Sequence, residues 1–147
     1  MTRIAVDGID CAGKTTLADE LGRLLTAGRL SVDDFLRPAA ERYAREFSAE
    51  GYYRDSHDHE RFRAAVLASP EPLVVDGIFL QRPELDDLWD LRIWIEIEFD
   101  AALDRALARD AHLMDVRDRY ERRYIPGQRL YLAEVGPRER ADIVVAA

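Results

Sequence analysis

The chain has 147 residues, with 29 acidic side chains against 21 basic ones, a formal net charge of −8 and a 48% apolar share. That composition suits one domain with a sizeable core, and it excludes intrinsic disorder, collagen-like repeats and a small disulfide-stapled fold, since Cys11 is the only cysteine. No run approaches the roughly 20 apolar residues of a membrane span. The acidic balance repels nucleic acid phosphates, and the short apolar opening is not that of a signal peptide. A cytoplasmic protein without membrane or nucleic-acid partners is expected.

In chain order, Arg3 to Asp7 reads as a short buried strand and Thr15 to Thr26 as a helix with Leu17, Leu21, Leu24 and Leu25 on one face. Leu30 to Val32 is a weak strand ending at Asp33 and Asp34. A helical stretch around Ala39 to Phe47, an aromatic loop at Gly51-Tyr52-Tyr53 and a helix from Asp58, its cap, to about Ala68 come next. Pro70 and Pro72 close that segment. Leu73 to Gly77 is an apolar strand ending in Asp76, and a short helix is predicted from Pro83 to Trp89. Leu91, Ile93, Ile95, Ile97 and Phe99 alternate as a strand. Ala101 to about Met114 reads as helix, a second helical stretch from Val116 to Glu134 must bend or break at Pro126-Gly127, and Ala141 to Val145 is a last strand. Five strands interleaved with helices predict an α/β fold: a five-stranded parallel sheet in a three-layer α/β/α sandwich, with ligands at the carboxyl ends of the strands.

At the first such end, Gly8-Ile9-Asp10-Cys11-Ala12-Gly13-Lys14-Thr15 fits G-x-x-x-x-G-K-[ST], with a strand before it and a helix after it. Gly8 and Gly13 permit torsions and close approach that a β-carbon blocks. The amides from Asp10, Cys11 and Ala12 through Thr15 and Thr16 can then face phosphate oxygens at a helix N-terminus. Lys14 is the only lysine among the 21 basic residues, so a charge for the β- and γ-phosphates is the explanation it calls for. The Thr15 hydroxyl suits Mg²⁺. No asparagine occurs in the chain, which removes the Asn-Lys-x-Asp guanine-reading signature. The motif therefore predicts the P-loop NTPase fold with ATP and Mg²⁺ as cofactors.

Asp76, ending a neighbouring strand, is a candidate metal-side carboxylate; a solvated turn is the competing reading. Asp33 and Asp34 follow the second strand, where one carboxylate can take a proton from an attacking hydroxyl beside the metal, or cap a helix. Arg105 and Arg109 share a helix face and are candidates to neutralise phosphate charge, with Arg117 behind them. Most other late arginines have acidic neighbours to pair with. His57 and His59 make a weak zinc pattern and read better as solvated or substrate-side groups. Cys11 lies near a helix N-terminus, where a thiolate is favoured, but it reads better as a small side chain filling a variable position of the motif.

Taken together, the Gly8 to Thr15 loop, Ser31 to Phe35, Tyr53 to Asp58, Val74 to Leu80, Arg105 to Asp110 and Tyr131 to Val145 resemble, in order and spacing, the uridine kinase family of P-loop nucleoside kinases across nearly the whole chain. The resemblance implies a single kinase-like domain over residues 1–147 with a lid at about 105–130. It also implies transfer of the ATP γ-phosphate to a small-molecule hydroxyl. By it, Asp33 acts toward the sugar 5′-hydroxyl, an acid at Asp76 helps hold Mg²⁺, Asp55 contacts ribose hydroxyls, and the helix from Arg105 to Asp110 supports the lid. The predicted catalytic residues are Asp33, Lys14, Arg105 and Arg109. Tyr53, Asp55, His57 and Arg117, with Asp33, are expected at the acceptor, and Thr15, Asp76 and Asp33 at the metal. Where family members carry a base-covering hairpin, this chain has only Ser69-Pro70-Glu71-Pro72, and Leu36 and Asp76 stand where an aromatic residue and a glutamate are common. Acceptors such as pantothenate, gluconate or an antibiotic therefore stay open, as does an ATP-binding module that hydrolyses or senses without an acceptor.

Overall fold

A computed structural model describes residues 2–147. Five strands, β1 (Arg3–Gly8), β2 (Gly28–Ser31), β3 (Leu73–Gly77), β4 (Leu91–Glu96) and β5 (Ile143–Ala146), form one sheet in the order β2-β3-β1-β4-β5. Every pairing is parallel, with Ala5 beside Val75 and Arg92 in the middle of the sheet. A parallel sheet is covered on both faces, and the alternation of side chains divides the core accordingly. Ile4, Val6, Val74, Ile93 and Ile95 pack under Ala18, Leu17 and Leu21 of α1 (Lys14–Leu25). Ala5, Val75 and Leu73 face the opposite side with Phe62 and Val66 of α4 (His59–Ala68). Each fully buried branched side chain contributes about 2 kcal/mol of transfer free energy, so the β1–β3 pair is the anchor on which the loops at its carboxyl end are built.

Between β2 and α4 lie α2 (Ala39–Arg42) and α3 (Ala49–Asp55). The C-terminal half contains α5 (Phe99–Arg109), α6 (Val116–Arg119), a π-helical turn over Tyr120–Tyr124, α7 (Ile125–Val135) and α8 (Pro137–Arg140). Several elements differ from expectation. Gly51 to Tyr53 is helix, not loop: Ser48 caps α3 by accepting the Gly51 N–H at 3.0 Å, and Gly51 and Tyr53 are buried. The helix around Ala39 stops at Arg42 rather than Phe47, and the Pro83–Trp89 helix is a 3-10 turn at Asp86–Leu88. The strand at Leu91 ends at Glu96, because Phe99 opens α5, which itself ends at Arg109. Pro126-Gly127 does not break the long helical stretch. The widened π turn over Tyr120–Tyr124 directly precedes them and runs into α7 without a break, so the loosened turn, not a helix end, accommodates the Pro126 ring and its missing N–H. Leu24 and Leu25 are exposed, which leaves α1 a narrower apolar face than its leucines suggested.

Candidate active site

The carboxyl ends of β1, β2 and β3 open into a cleft of about 1020 Å³ that the lid segment borders on its far side. On one side stands the phosphate loop. Gly13, at φ 95°, is the N-cap of α1, a left-handed conformation that glycine adopts without steric penalty. The first-turn amides of α1 lack intrahelical acceptors and sit at the mouth with Gly13, Lys14, Thr15 and Thr16. Lys14 Nζ, partly buried, donates to the Ile9 carbonyl at 2.7 Å and has no carboxylate partner among the described residues. Burial pulls its pKa down, against the opposing pull of Asp10, Asp7 and Asp33.

The Thr15 hydroxyl donates to Asp76 Oδ2 at 3.0 Å. A hydroxyl and a carboxylate side by side at the head of the loop are the donor set of a cation that keeps most of its waters, so these residues fit Mg²⁺. Sequence reasoning missed Arg29, which donates to Asp76 Oδ1 at 2.9 Å and also to the Leu30 and Val74 carbonyls and Asp19. Its stem fills the space beside Gly22, where a β-carbon would lie 2.8 Å from Arg29 Cδ. Arg29 thereby fixes the Asp76 carboxylate that faces Thr15. Among the described residues no cluster of three or more His, Cys, Asp or Glu groups could hold a metal. Burial together with Arg82 pulls the pKa of His59 down to about 4.

Across the cleft, Asp33 lies in the 3-10 turn after β2 and His57 Nε2 is 3.2 Å from its Oδ1. His57 is buried, whereas Asp33 is exposed to the cleft. The His57 hydrogen bond holds the Asp33 carboxyl below the usual carboxylate range, which keeps it ionised and free to accept a proton. Gly77, at φ 154°, lets this turn approach β3, since a β-carbon there would lie 2.2 Å from Val32 Cγ1.

The segment from Arg105 to Tyr124 meets the loop through Tyr120, whose hydroxyl donates to Asp10 and accepts from Arg109 Nη2 at 3.0 Å. Arg109 is otherwise held by Asp110, and Arg105 reaches the Cys11 carbonyl at 3.2 Å. The structure thus brings Lys14, Thr15, Thr16, Asp33, His57, Asp76, Arg105 and Arg109 to one cleft. Gly8 and Ala12 do not line it, and the Asp10 amide is turned away, donating to Gln128 Oε1 at 2.7 Å. Three acceptor-side expectations are corrected. Tyr53 is core, packed between Phe79, Tyr131 and the Arg82 guanidinium. Asp55 is turned to Arg45 at 3.2 Å, on the side of α3 away from the cleft. Arg117 pairs with Glu121 on the exposed helix face, and Arg119 lines the cleft instead. Cys11 is corrected too: burial and Asp10 push its thiol pKa up, so the thiolate is not favoured.

Beneath the loop lies a second polar group without a signal in any motif. Asp7 is fully buried, accepting from Tyr131 Oη at 2.5 Å, the Gly8 amide at 2.9 Å and Gln81 Nε2 at 3.3 Å. Burial raises its pKa to about 6 despite these bonds and the Lys14 charge.

No protein-family model matches the sequence, and no curated protein matches it. Solved structures do. A possible uridine kinase from Bacillus stearothermophilus matches with a TM-score of 0.77 at 20% identity, over 98% of this chain and 88% of that one. A gluconokinase from Sinorhizobium meliloti matches at 0.61 and 19% identity, over 99% and 81%. A shikimate kinase from Acinetobacter baumannii matches at 0.62 and 15%, over 100% and 84%. Identities this low establish architecture. The chain has the P-loop NTPase fold, similar to that of these small-molecule kinases.

Proposed function

We propose that the chain is a small-molecule kinase, a single uridine kinase-like domain that binds ATP with Mg²⁺ on residues 8–15 and moves the γ-phosphate to an alcohol of a nucleoside or other small molecule. The observation that carries this reading is the opposition, in one cleft, of Lys14, Thr15 and Asp76 to the ionised Asp33 held by His57. An ionised carboxylate facing the phosphate loop across a cleft can take the proton of an attacking hydroxyl. The kinases among the structural neighbours support the same reaction class.

Lys14, released from the Ile9 carbonyl, would meet the β- and γ-phosphate oxygens, with the first-turn amides of α1 around them. Thr15 and Asp76 would hold Mg²⁺, which supplies charge neutralisation on the triphosphate. Asp33 accepts the acceptor's hydroxyl proton as the oxygen attacks, and Arg105 and Arg109 offset charge on the transferring group. Positioning and fixed charge supply most of the rate in such transfers. The cytoplasm, where ATP is abundant, is the proposed location; no helix among the described residues is long and apolar enough to cross a membrane.

The test is an acceptor screen with coupled ADP detection, run beside Asp33→Asn. A kinase loses acceptor-stimulated ADP release in that variant, on the order of a hundredfold or more, while binding ATP unchanged. The short Ser69–Pro72 link favours a second reading, a hydrolytic or sensing ATP module without an acceptor. That reading predicts no stimulation by any acceptor and indifference to Asp33→Asn.

A further inference from the structure

We infer that the acceptor is an anion: it carries a carboxylate or phosphate beside its reacting hydroxyl, and the guanidinium groups of Arg42, Arg119 and Arg123 receive it. This deepens the kinase reading and rests on it. In a chain with more acids than bases, arginines ordinarily find carboxylates, as Arg29, Arg117 and Arg122 do. Within the cleft the balance is reversed. Asp10 is bonded by Tyr120, Asp33 by His57, Asp76 by Thr15 and Arg29, and Asp110 by Arg109. Asp115, at the lid tip beside Met114, is the one cleft acid whose side chain has no such partner among the described residues. Arg42, Arg119 and Arg123 line the same cleft and form no ion pair among the described residues.

Arg123 is the clearest case. It is 2% exposed, donates only to the Ser48 and Arg42 carbonyls, at 2.9 and 3.3 Å, and leaves its Nε without a partner. Its guanidinium lies 4.7, 5.2 and 5.4 Å from the ring centres of Tyr43, Phe47 and Tyr52. Carbonyl dipoles and ring faces compensate a buried cation only in part, so a positive potential stands under this part of the cleft. Arg42, half-buried, spends Nε on the Arg37 carbonyl at 2.7 Å, has its guanidinium 5.5 Å from the Tyr43 ring centre, and makes no hydrogen bond through either terminal nitrogen among the described residues. The polyphosphate does not need these groups, because Lys14, Arg105 and Arg109 already serve its side. Arg42 follows Asp33 by one short helix, on the acceptor side, with Tyr43, Tyr52 and Tyr124 as walls. A guanidinium fork matches a carboxylate or phosphate bidentately, whereas a neutral nucleoside leaves the charge unanswered.

The test compares matched acceptors on the full chain with ATP and Mg²⁺: gluconate with glucose, glycerate with glycerol, and ribose 5-phosphate with ribose, with uridine as a neutral nucleoside. The anionic member of at least one pair is expected to be preferred about tenfold or more in kcat/KM; which pair responds separates carboxylate from phosphate. Arg42→Gln and the exposed Arg119→Gln should each raise KM for that anion about tenfold and leave its neutral partner within about twofold. Arg122→Gln, on the outward face with Asp118, should change neither. Calorimetry of the same compounds with a non-hydrolysable ATP analogue already filling the phosphate loop detects an anion that binds without reacting. Neutral members equal to or better than the anions in every pair, or no anion bound by calorimetry, overturns the anionic acceptor. Arg42-dependent binding of an anion with no ADP release from any acceptor sustains it and overturns the kinase reading instead.

Discussion

Replacing Asp7 by asparagine should flatten the pH dependence of folding stability. Asp7 sits in the core beneath the phosphate loop, and burial raises its pKa from 3.8 to about 6 in the folded chain. Below pH 3.8 the carboxyl is protonated in both states. Between 3.8 and about 6 the folded chain keeps the proton that the unfolded chain releases, so folding is favoured at the acid end and stability falls as pH rises through this window. The difference amounts to about 3 kcal/mol at pH 7. An asparagine side chain cannot ionise and escapes that loss. It still offers an oxygen to the Gly8 amide, while its own amide replaces the oxygen that accepts from Tyr131 Oη and Gln81 Nε2, a loss that is the same at every pH and leaves the slope as the readout. Urea denaturation of both proteins at pH 4 to 7.5 is the assay. The stability of Asp7→Asn relative to the parent should increase by up to about 3 kcal/mol from the lowest pH to the highest. Parallel profiles, or a gap that widens toward acid, would refute the argument that burial dominates at this carboxylate.

Arg29→Met should lower stability by about 2 kcal/mol, because it strands the buried Asp76 carboxylate, whereas Asp19→Ala, which removes only the exposed partner of Arg29, should stay within about 1 kcal/mol. Thermal unfolding distinguishes them. Gly77→Ala forces a β-carbon to within 2.2 Å of Val32 Cγ1 in a left-handed backbone conformation, and a loss of about 3 kcal/mol is expected in the same measurement. The iodoacetamide reaction of Cys11 should titrate with a midpoint above 9.0, the ordinary thiol value, since burial and Asp10 both disfavour the thiolate; a midpoint below it contradicts that account.

Local features of the site were legible in the sequence because their chemistry is contiguous. Gly8 to Thr15 contains its own turn, cation and hydroxyl, and the strand before it and the helix after it announce themselves by their apolar patterns. Asp33 and Asp76 were found because each ends a strand whose carboxyl end must face the loop. What was missed depends on which way a side chain turns. Order along the chain put Tyr53 and Asp55 at the acceptor, but α3 presents Tyr53 to the core and Asp55 to Arg45, leaving Ser56 and His57 at the cleft. The spacing from Ser48 to Gly51 was a readable cap for that helix, obscured by the glycine and two tyrosines behind it. Arg29, Gln81, Tyr120, Arg123 and Tyr131 meet their partners across long sequence separations, and nothing near them in the sequence signals it. Arg117 was preferred to Arg119 because neighbouring residues on a helix look alike until its rotation is fixed.

The strand order has a consequence for synthesis. β1 occupies the middle of the sheet, yet Arg3 pairs with Leu73 and Ile4 with Leu91. As the polypeptide leaves the ribosome, its first strand waits through some seventy codons before any hydrogen-bonding neighbour exists, and longer for the second. Until then the nascent segment before Leu73, about half of these residues, exposes an unmatched aliphatic ribbon, so a holding chaperone or a pause in translation before Leu73 should govern the yield of correctly assembled protein more than any change confined to the mature surface.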